Sequence, residues 1–242
     1  MKALFIVTGS SKGIGKGIVS QLLQNKDNHV IGIARSEQDF GQQNFESLQI
    51  DLSKVKDIEA EIERIFPEGN FSKIVLINNA GWIGPISHIG NMNSEDIQTL
   101  FDLNVVAPMI LMNAFVERYA GSSSEKTVVN ISSGASNKAI DGWSGYSSSK
   151  AALNMMTEAA QVEADLDENG IRYFALAPGV VDTKMQSDIR GADEKSFSKL
   201  EKFLNLKSNN QLSTPEAAAE KIIYLIENRD EFEGVFQDVR EF

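Results

Sequence analysis

The chain has 242 residues, 42% of them hydrophobic, with no cysteine and two histidines. That is enough apolar material for the core of one large α/β domain, and it excludes a disulfide framework, a thiol nucleophile and a zinc-thiolate or histidine metal cluster. The net charge of −11 argues against nucleic acid or an anionic membrane as the main partner, so an anionic ligand must be met by a local positive site.

Behind Met1-Lys2 the apolar run is too short for a signal peptide or a membrane span, and no later run reaches about eighteen consecutive apolar residues. A soluble cytoplasmic protein is the expectation. The first strand is Ala3-Leu4-Phe5-Ile6-Val7, a continuous apolar run of the kind buried on both faces of a parallel sheet. It leads into Thr8-Gly9-Ser10-Ser11-Lys12-Gly13-Ile14-Gly15, after which Ile18, Leu22 and Leu23 follow a helical pattern. Glycines at a strand-to-helix turn let the backbone approach a pyrophosphate, whose charge meets the amides and dipole of the helix N-terminus. Gly9, Ser11, Lys12, Gly13, Ile14 and Gly15 are therefore candidate cofactor contacts. The spacing Gly-x-x-x-Gly-x-Gly departs from the commoner Gly-x-Gly-x-x-Gly, and a turn that merely packs is the alternative.

The second strand, His29 to Ala34, ends at Arg35-Ser36. Sites that prefer NAD place an acid here for the ribose 2′-hydroxyl, whereas a guanidinium suits a 2′-phosphate, and Lys12 adds a second positive charge. The reading is NADPH/NADP+; solvated surface charges are the alternative. Leu48-Gln49-Ile50 reads as a short third strand, followed by Asp51-Leu52 and a helix from about Ser53 to Phe66 with Val55, Ile58, Ile62 and Ile65 on one stripe. Asp51 at a strand end faces a cofactor adenine, caps the helix, or does both.

Lys73 to Ile77 is a strand ending in Asn78-Asn79-Ala80-Gly81, where Asn79, Ala80 and Gly81 suit a backbone passing close to a flat ligand. A loop over residues 82–93 precedes one long helix from Ser94 through Leu111, with Asn104 polar inside its apolar run. Thr127 to Ile131 is the fifth strand and ends at Ser132-Ser133; the Ser133 hydroxyl would face the crevice and donate to a carbonyl oxygen. Tyr146 and Lys150 are four apart at the start of a helix and share a face. Two charges about 4 Å apart at an effective dielectric of about 20 interact by about 4 kcal/mol, so the lysine is expected to bring the phenol most of the way to neutral pH. Such a tyrosine is a usable general acid or base.

Ile171 to Ala177 is the sixth strand, followed by Pro178, Gly179, Val181, Thr183 and Met185, placed for the nicotinamide end of a cofactor. The polar stretch to about Ser213 reads as a helical flap over the substrate, residues 183–213. Thr214-Pro215-Glu216 starts a further helix with an N-cap, an N1 proline and an early acid, and the last strand is expected around Gly234 to Gln237.

Taken together, the glycine loop Thr8 to Gly15, Asn78-Asn79-Ala80-Gly81, Asn104, Ser133, Tyr146-x-x-x-Lys150 and Pro178-Gly179 stand in an order and spacing that resembles the short-chain dehydrogenase/reductase family. The resemblance spans nearly the whole chain. It implies a single α/β domain over residues 1–242, a doubly wound Rossmann-type three-layer sandwich with a seven-stranded parallel sheet. By the same likeness Tyr146 protonates a carbonyl oxygen while nicotinamide hydride attacks the carbon, and Ser133 orients that oxygen. Lys150 binds the nicotinamide ribose and tunes Tyr146, and Asn104 holds a water in the proton relay. Within the family, Pro-Gly-x-x-Asp-Thr-x-Met-Gln at 178 to 186, Arg190 and an aspartate near the end are similar to sepiapterin reductase and bacterial benzil reductases. Asp238 then corresponds to a pterin-anchoring carboxylate, or is a surface acid. Trp143, with Trp82 and Met185, lines a pocket for a flat carbonyl compound, or simply packs. Gly179 joins Ser133, Tyr146, Trp143 and Asp238 as an expected substrate contact. The likeness implies a homodimer or homotetramer. The expected activity is NADPH-dependent reduction of a vicinal dicarbonyl or pteridine-like ketone; the other reading is an NADP(H)-binding redox sensor without turnover.

Overall fold

A computed structural model describes residues 2–242. The apolar runs form β1 (Ala3–Thr8), β2 (Asn28–Ala34), β3 (Phe45–Gln49), β4 (Lys73–Asn78), β5 (Glu125–Ile131), β6 (Ile171–Ala177) and β7 (Phe236–Asp238). All pairings are parallel, in the order β3-β2-β1-β4-β5-β6-β7. Because a strand's side chains alternate between faces, β1 sends Leu4 and Ile6 into one core and Phe5 and Val7 into the other. The helices that cover the first face are α2 (Val55–Ile65), α4 (Ala107–Tyr119) and α5 (Ser144–Leu166); α1 (Gly13–Leu22) and α8 (Pro215–Glu227) cover the second. The expected seven-stranded, doubly wound α/β sheet is therefore what the chain forms.

Strand order reverses at β1, which pairs with β2 on one side and β4 on the other. The connections leaving β1 and β4 diverge there and open a crevice beyond the carboxyl ends of the strands. A third, smaller apolar cluster lies beside that crevice, holding Ile83, Trp143, Tyr146, Ile189, Phe197 and Phe203. It is roofed by α6 (Lys184–Arg190) and α7 (Leu200–Ser208).

Four local expectations change. The edge strand β3 covers Phe45–Gln49 and leaves Ile50 outside; it pairs on one side only, so only Leu48 is buried. The last strand, β7, is Phe236–Asp238, beginning two residues later and ending one residue later than expected. Val55 is exposed and falls off the α2 stripe. The long helix is also interrupted: α3 (Ser94–Phe101) passes through a π-helical turn, Asp102–Val106, before α4. Pro108 has no N–H, so the Asn104 carbonyl four residues earlier lacks its α-helical donor, and the turn widens there. The continuous segment Ser94–Tyr119 is long and apolar enough, by length and composition alone, to cross a membrane. Leu111, Met112 and Phe115 from it are buried against the sheet.

Candidate active site

The β1–α1 loop is held at the mouth of the crevice by close backbone packing. Gly9 has φ +67°, and a Cβ there would stand 2.9 Å from the Ala80 Cα; a Cβ on Gly15 would stand 2.3 Å from the Gly9 carbonyl oxygen. Any side chain at either position collides with backbone. Asn79 fastens this loop from below, its amide donating to the Thr8 carbonyl at 2.9 Å and the Gly9 carbonyl at 3.3 Å. The Thr8 hydroxyl accepts from the Asn79 and Ala80 N–H groups, each at 2.9 Å. Asn79 and Ala80 thus shape the loop through polar groups that are already bonded to the chain.

At the start of α1 the N-cap position is Lys12, which makes no side-chain cap bond, so the first amides of the helix remain donors toward the crevice. Lys12, Arg35 and Ser36 are exposed. Neither cation has a carboxylate within ion-pair distance among the described residues, although Asp51 is near enough to feel the Arg35 charge. Asp51 accepts from the Ser53 N–H at 3.1 Å and the Ser53 hydroxyl at 2.8 Å and pairs with Lys54 at 3.8 Å. It shapes the turn into α2, whose N-cap is Lys54. Leu52 is buried in the core. On the far side, Thr183 caps α6 and its methyl lies 3.2 Å from where a Cβ on Gly13 would stand. The loops after β1 and β6 therefore nearly meet across the crevice.

Tyr146 and Lys150 share one face of α5, and both are at least nine-tenths buried. The Lys150 ammonium donates to the Ile131 carbonyl at 2.7 Å and lies 6.0 Å from the Tyr146 ring centroid. Burial lowers the Lys150 pKa to about 8. Burial also raises the Tyr146 pKa, against the opposing hydrogen bond with the Ser133 hydroxyl. The acidified phenol expected from the pair alone is thus corrected: the ammonium is aimed at a carbonyl, and desolvation keeps the phenol protonated. Ser133 and Tyr146 both line the pocket. The neighbouring Ser132 hydroxyl instead donates to the Asn154 side chain at 2.5 Å, and Asn154 continues to the Ser136 hydroxyl at 2.9 Å.

Asn104 is 1% exposed, and its side chain is engaged throughout. It accepts from the Trp82 N–H at 2.9 Å and donates to the Trp82 carbonyl at 2.9 Å and the Ser149 hydroxyl at 3.0 Å. In place of a side chain open to a relay water, the structure has one that ties the π-turn to the Trp82 loop and to α5. Gly81 sits between these groups: a Cβ there would be 3.5 Å from the Asn104 amide oxygen and 3.6 Å from the Lys150 nitrogen.

The pocket beside Tyr146 is walled by Trp143, Met185, Ile189 and Phe203, with Ile14, Pro178, Gly179, Val181 and Thr183 on its sheet side. Trp143 stacks on Phe197 at 5.2 Å and meets the Tyr146 ring edge-on at 5.7 Å. Trp82 packs against the same cluster without lining the pocket. Asp238 does not line it either: its carboxylate is gripped by Arg240, with the Arg240 Nε at 2.8 Å, and that bond holds its pKa below the usual range. Of its two readings, substrate anchor or surface acid, the structure adds that Asp238 is paired with Arg240, which itself faces the pocket. Lys138, Lys202 and Arg240 are lining residues that sequence reasoning missed. They stand on a loop, a helix and the tail with no common spacing, so no pattern marks them.

Comparison with known proteins agrees with this geometry. Residues 3–194 match the short chain dehydrogenase family. The chain is 36% identical to a benzil reductase ((S)-benzoin forming) of Bacillus subtilis (strain 168) over 99% of each chain. It is 29% identical to sepiapterin reductase of Rattus norvegicus over 96% of this chain and 94% of the relative. The crystal structure of the KRED1-Pglu enzyme superposes with a TM-score of 0.85 at 31% identity, covering 97% of this chain and all of that one. With the family matched across most of its length and a relative spanning nearly all of it, this chain belongs to the short-chain dehydrogenase/reductase family of oxidoreductases.

Proposed function

We propose that the chain is an NADPH-dependent carbonyl reductase acting on a vicinal dicarbonyl or pteridine-like ketone, with Tyr146 as general acid. The observation that carries this reading is the buried Tyr146 phenol, which lines an aromatic pocket together with Ser133 and stands one helical turn from Lys150. A nicotinamide cofactor fits the residues present. Gly9 and Gly15 let the loop fold tightly against Ala80 and onto itself, the α1 N-terminus has no competing side-chain cap, and Lys12 and Arg35 are exposed and available for phosphate. Gly13, Ser11 and Ile14 complete the pyrophosphate cradle. Asp51 and Leu52 would flank the adenine, Asn79 to Gly81 and Pro178 to Thr183 would border the nicotinamide, and Lys150 would hold its ribose. When bound, the reduced nicotinamide supplies the hydride.

The remaining steps belong to the chain. Ser133 donates a hydrogen bond to the substrate carbonyl oxygen, and Tyr146 passes its proton to that oxygen as negative charge develops there. Because burial keeps the phenol protonated, it is poised for reduction rather than for the reverse oxidation at neutral pH. Lys150 stabilises the phenolate that results and recharges it. Asn104 acts through position: its side chain fixes the Trp82 loop, while its backbone carbonyl, denied an α-helical donor by Pro108, is an acceptor for a relay water. Trp143, Met185 and Gly179 shape the substrate wall, and residues 183–213 close over it as a flap within one domain. Met109 of α4 and Met155, Val162 and Leu166 of α5 are exposed, and this apolar face supports a homodimer or homotetramer.

The relatives' names, benzil reductase and sepiapterin reductase, support the dicarbonyl and pteridine classes. The test follows the absorbance of NADPH, and of NADH in parallel, with benzil, phenylpropanedione and sepiapterin. Oxidation with at least one carbonyl, faster from NADPH, is expected, and Arg35→Asp should lower the NADPH-to-NADH ratio about ten-fold or more. NADPH binding with no oxidation by any carbonyl would favour a redox sensor instead, and an unchanged cofactor ratio would refute the role of Arg35.

A further inference from the structure

We propose that the substrate carries an anionic group, of the carboxylate class, received at the pocket rim by Lys138 and Lys202 beside Arg240. The inference rests on the carbonyl-reductase reading and narrows its substrate. The chain has 34 acidic and 23 basic residues, yet every charged side chain lining the pocket is positive. The three cations come from separate segments: Lys138 follows β5, Lys202 is on α7, and Arg240 follows β7.

Asp238 neutralises Arg240 and fixes it in place. So held, the guanidinium lies 4.0 Å from where a Cβ on Gly134 would stand, one residue from Ser133. Lys138 is near enough to Asp238 to lower its pKa, but neither Lys138 nor Lys202 has a carboxylate within ion-pair distance among the described residues. Two acids, Asp238 and Glu241, therefore stand near the three cations, neither acid lines the pocket, and the surplus is positive. Cofactor phosphates do not account for it, because Lys12 and Arg35 serve that end and neither lines this pocket. A cleft of one sign in a protein of the opposite sign concentrates ligands of complementary charge. Below the rim the walls are Trp143, Phe203, Met185 and Ile189. The complementary ligand is a flat apolar carbonyl compound with an acid group at its outer end.

The test compares benzil with its para-carboxylate, measuring kcat/KM at low and high salt in the unmodified protein and in Lys138→Gln/Lys202→Gln. Both lysines are exposed, so the double variant is expected to fold. The carboxylate should be preferred about ten-fold at low salt, mainly through KM, and the preference should shrink with salt and fall to about one in the variant. A ratio at or below one, or a preference untouched by the double substitution, overturns the proposal, while turnover of benzil itself leaves the reductase reading standing. If neither compound is reduced, that reading fails and calorimetric binding decides the anion site. Benzoate bound in preference to benzamide, with the preference lost in the variant, upholds it; equal binding overturns it.

Discussion

At the strand end of the crevice Asn104, Tyr146 and Lys150 are all less than a tenth exposed, and each is anchored by the helix that carries it. At the rim Lys138 and Lys202 are exposed and have no carboxylate within ion-pair distance among the described residues, whereas Arg240 is pinned through Asp238. The inner group sits where desolvation dominates: it lowers the Lys150 pKa to about 8 and raises that of Tyr146. The outer group sits in water, where charge is screened and each contact is weak. The proposed function and the proposed anion site thus place chemistry in the buried part of the molecule and choice of substrate in the exposed part.

If that division holds, substitutions should lose effect from the inside outward. Tyr146→Phe keeps the ring that packs against Trp143 and removes only the acid, so kcat for carbonyl reduction should fall by about 10²- to 10⁴-fold with cofactor affinity and Tm retained. A fall of less than ten-fold would place the proton donor elsewhere. Asn104→Ala deletes three hydrogen bonds and strands the Trp82 N–H and carbonyl. Stability should drop by about 2 kcal/mol, seen as a Tm lowered by about 6 °C, with a smaller loss of kcat than Tyr146→Phe. An unchanged Tm would show that water replaces the amide. The rim lysines come last, shifting a ratio between two substrates and leaving Tm alone.

Much of this was legible in the sequence. Buried parallel strands announce themselves as continuous apolar runs, and Ile171 to Ala177 matches β6 residue for residue. The edge strand β3 was read short because it pairs on one side only and its Phe45-Glu46-Ser47 start lacks such a run. The π-turn at Asn104 is invisible to a pattern search, since apolar residues recur similarly on both sides of it, although Pro108 marks the position. The direction of the Tyr146 shift was misjudged because spacing reveals a neighbouring lysine but not the burial that raises the phenol's pKa. The pairing of Asp238 with Arg240 was not legible because a two-residue spacing in a tail carries no pattern that announces an ion pair.

The central claim is that this site holds a protonated phenol ready to give up its hydrogen. It is tested most directly by phenolate absorbance during an alkaline titration of the cofactor-free protein, taken as the difference from Tyr146→Phe. The account predicts no Tyr146 phenolate between about pH 6 and 9, because burial lifts its pKa above the ordinary value of about 10. A phenolate signal with a midpoint below about pH 8 would contradict it.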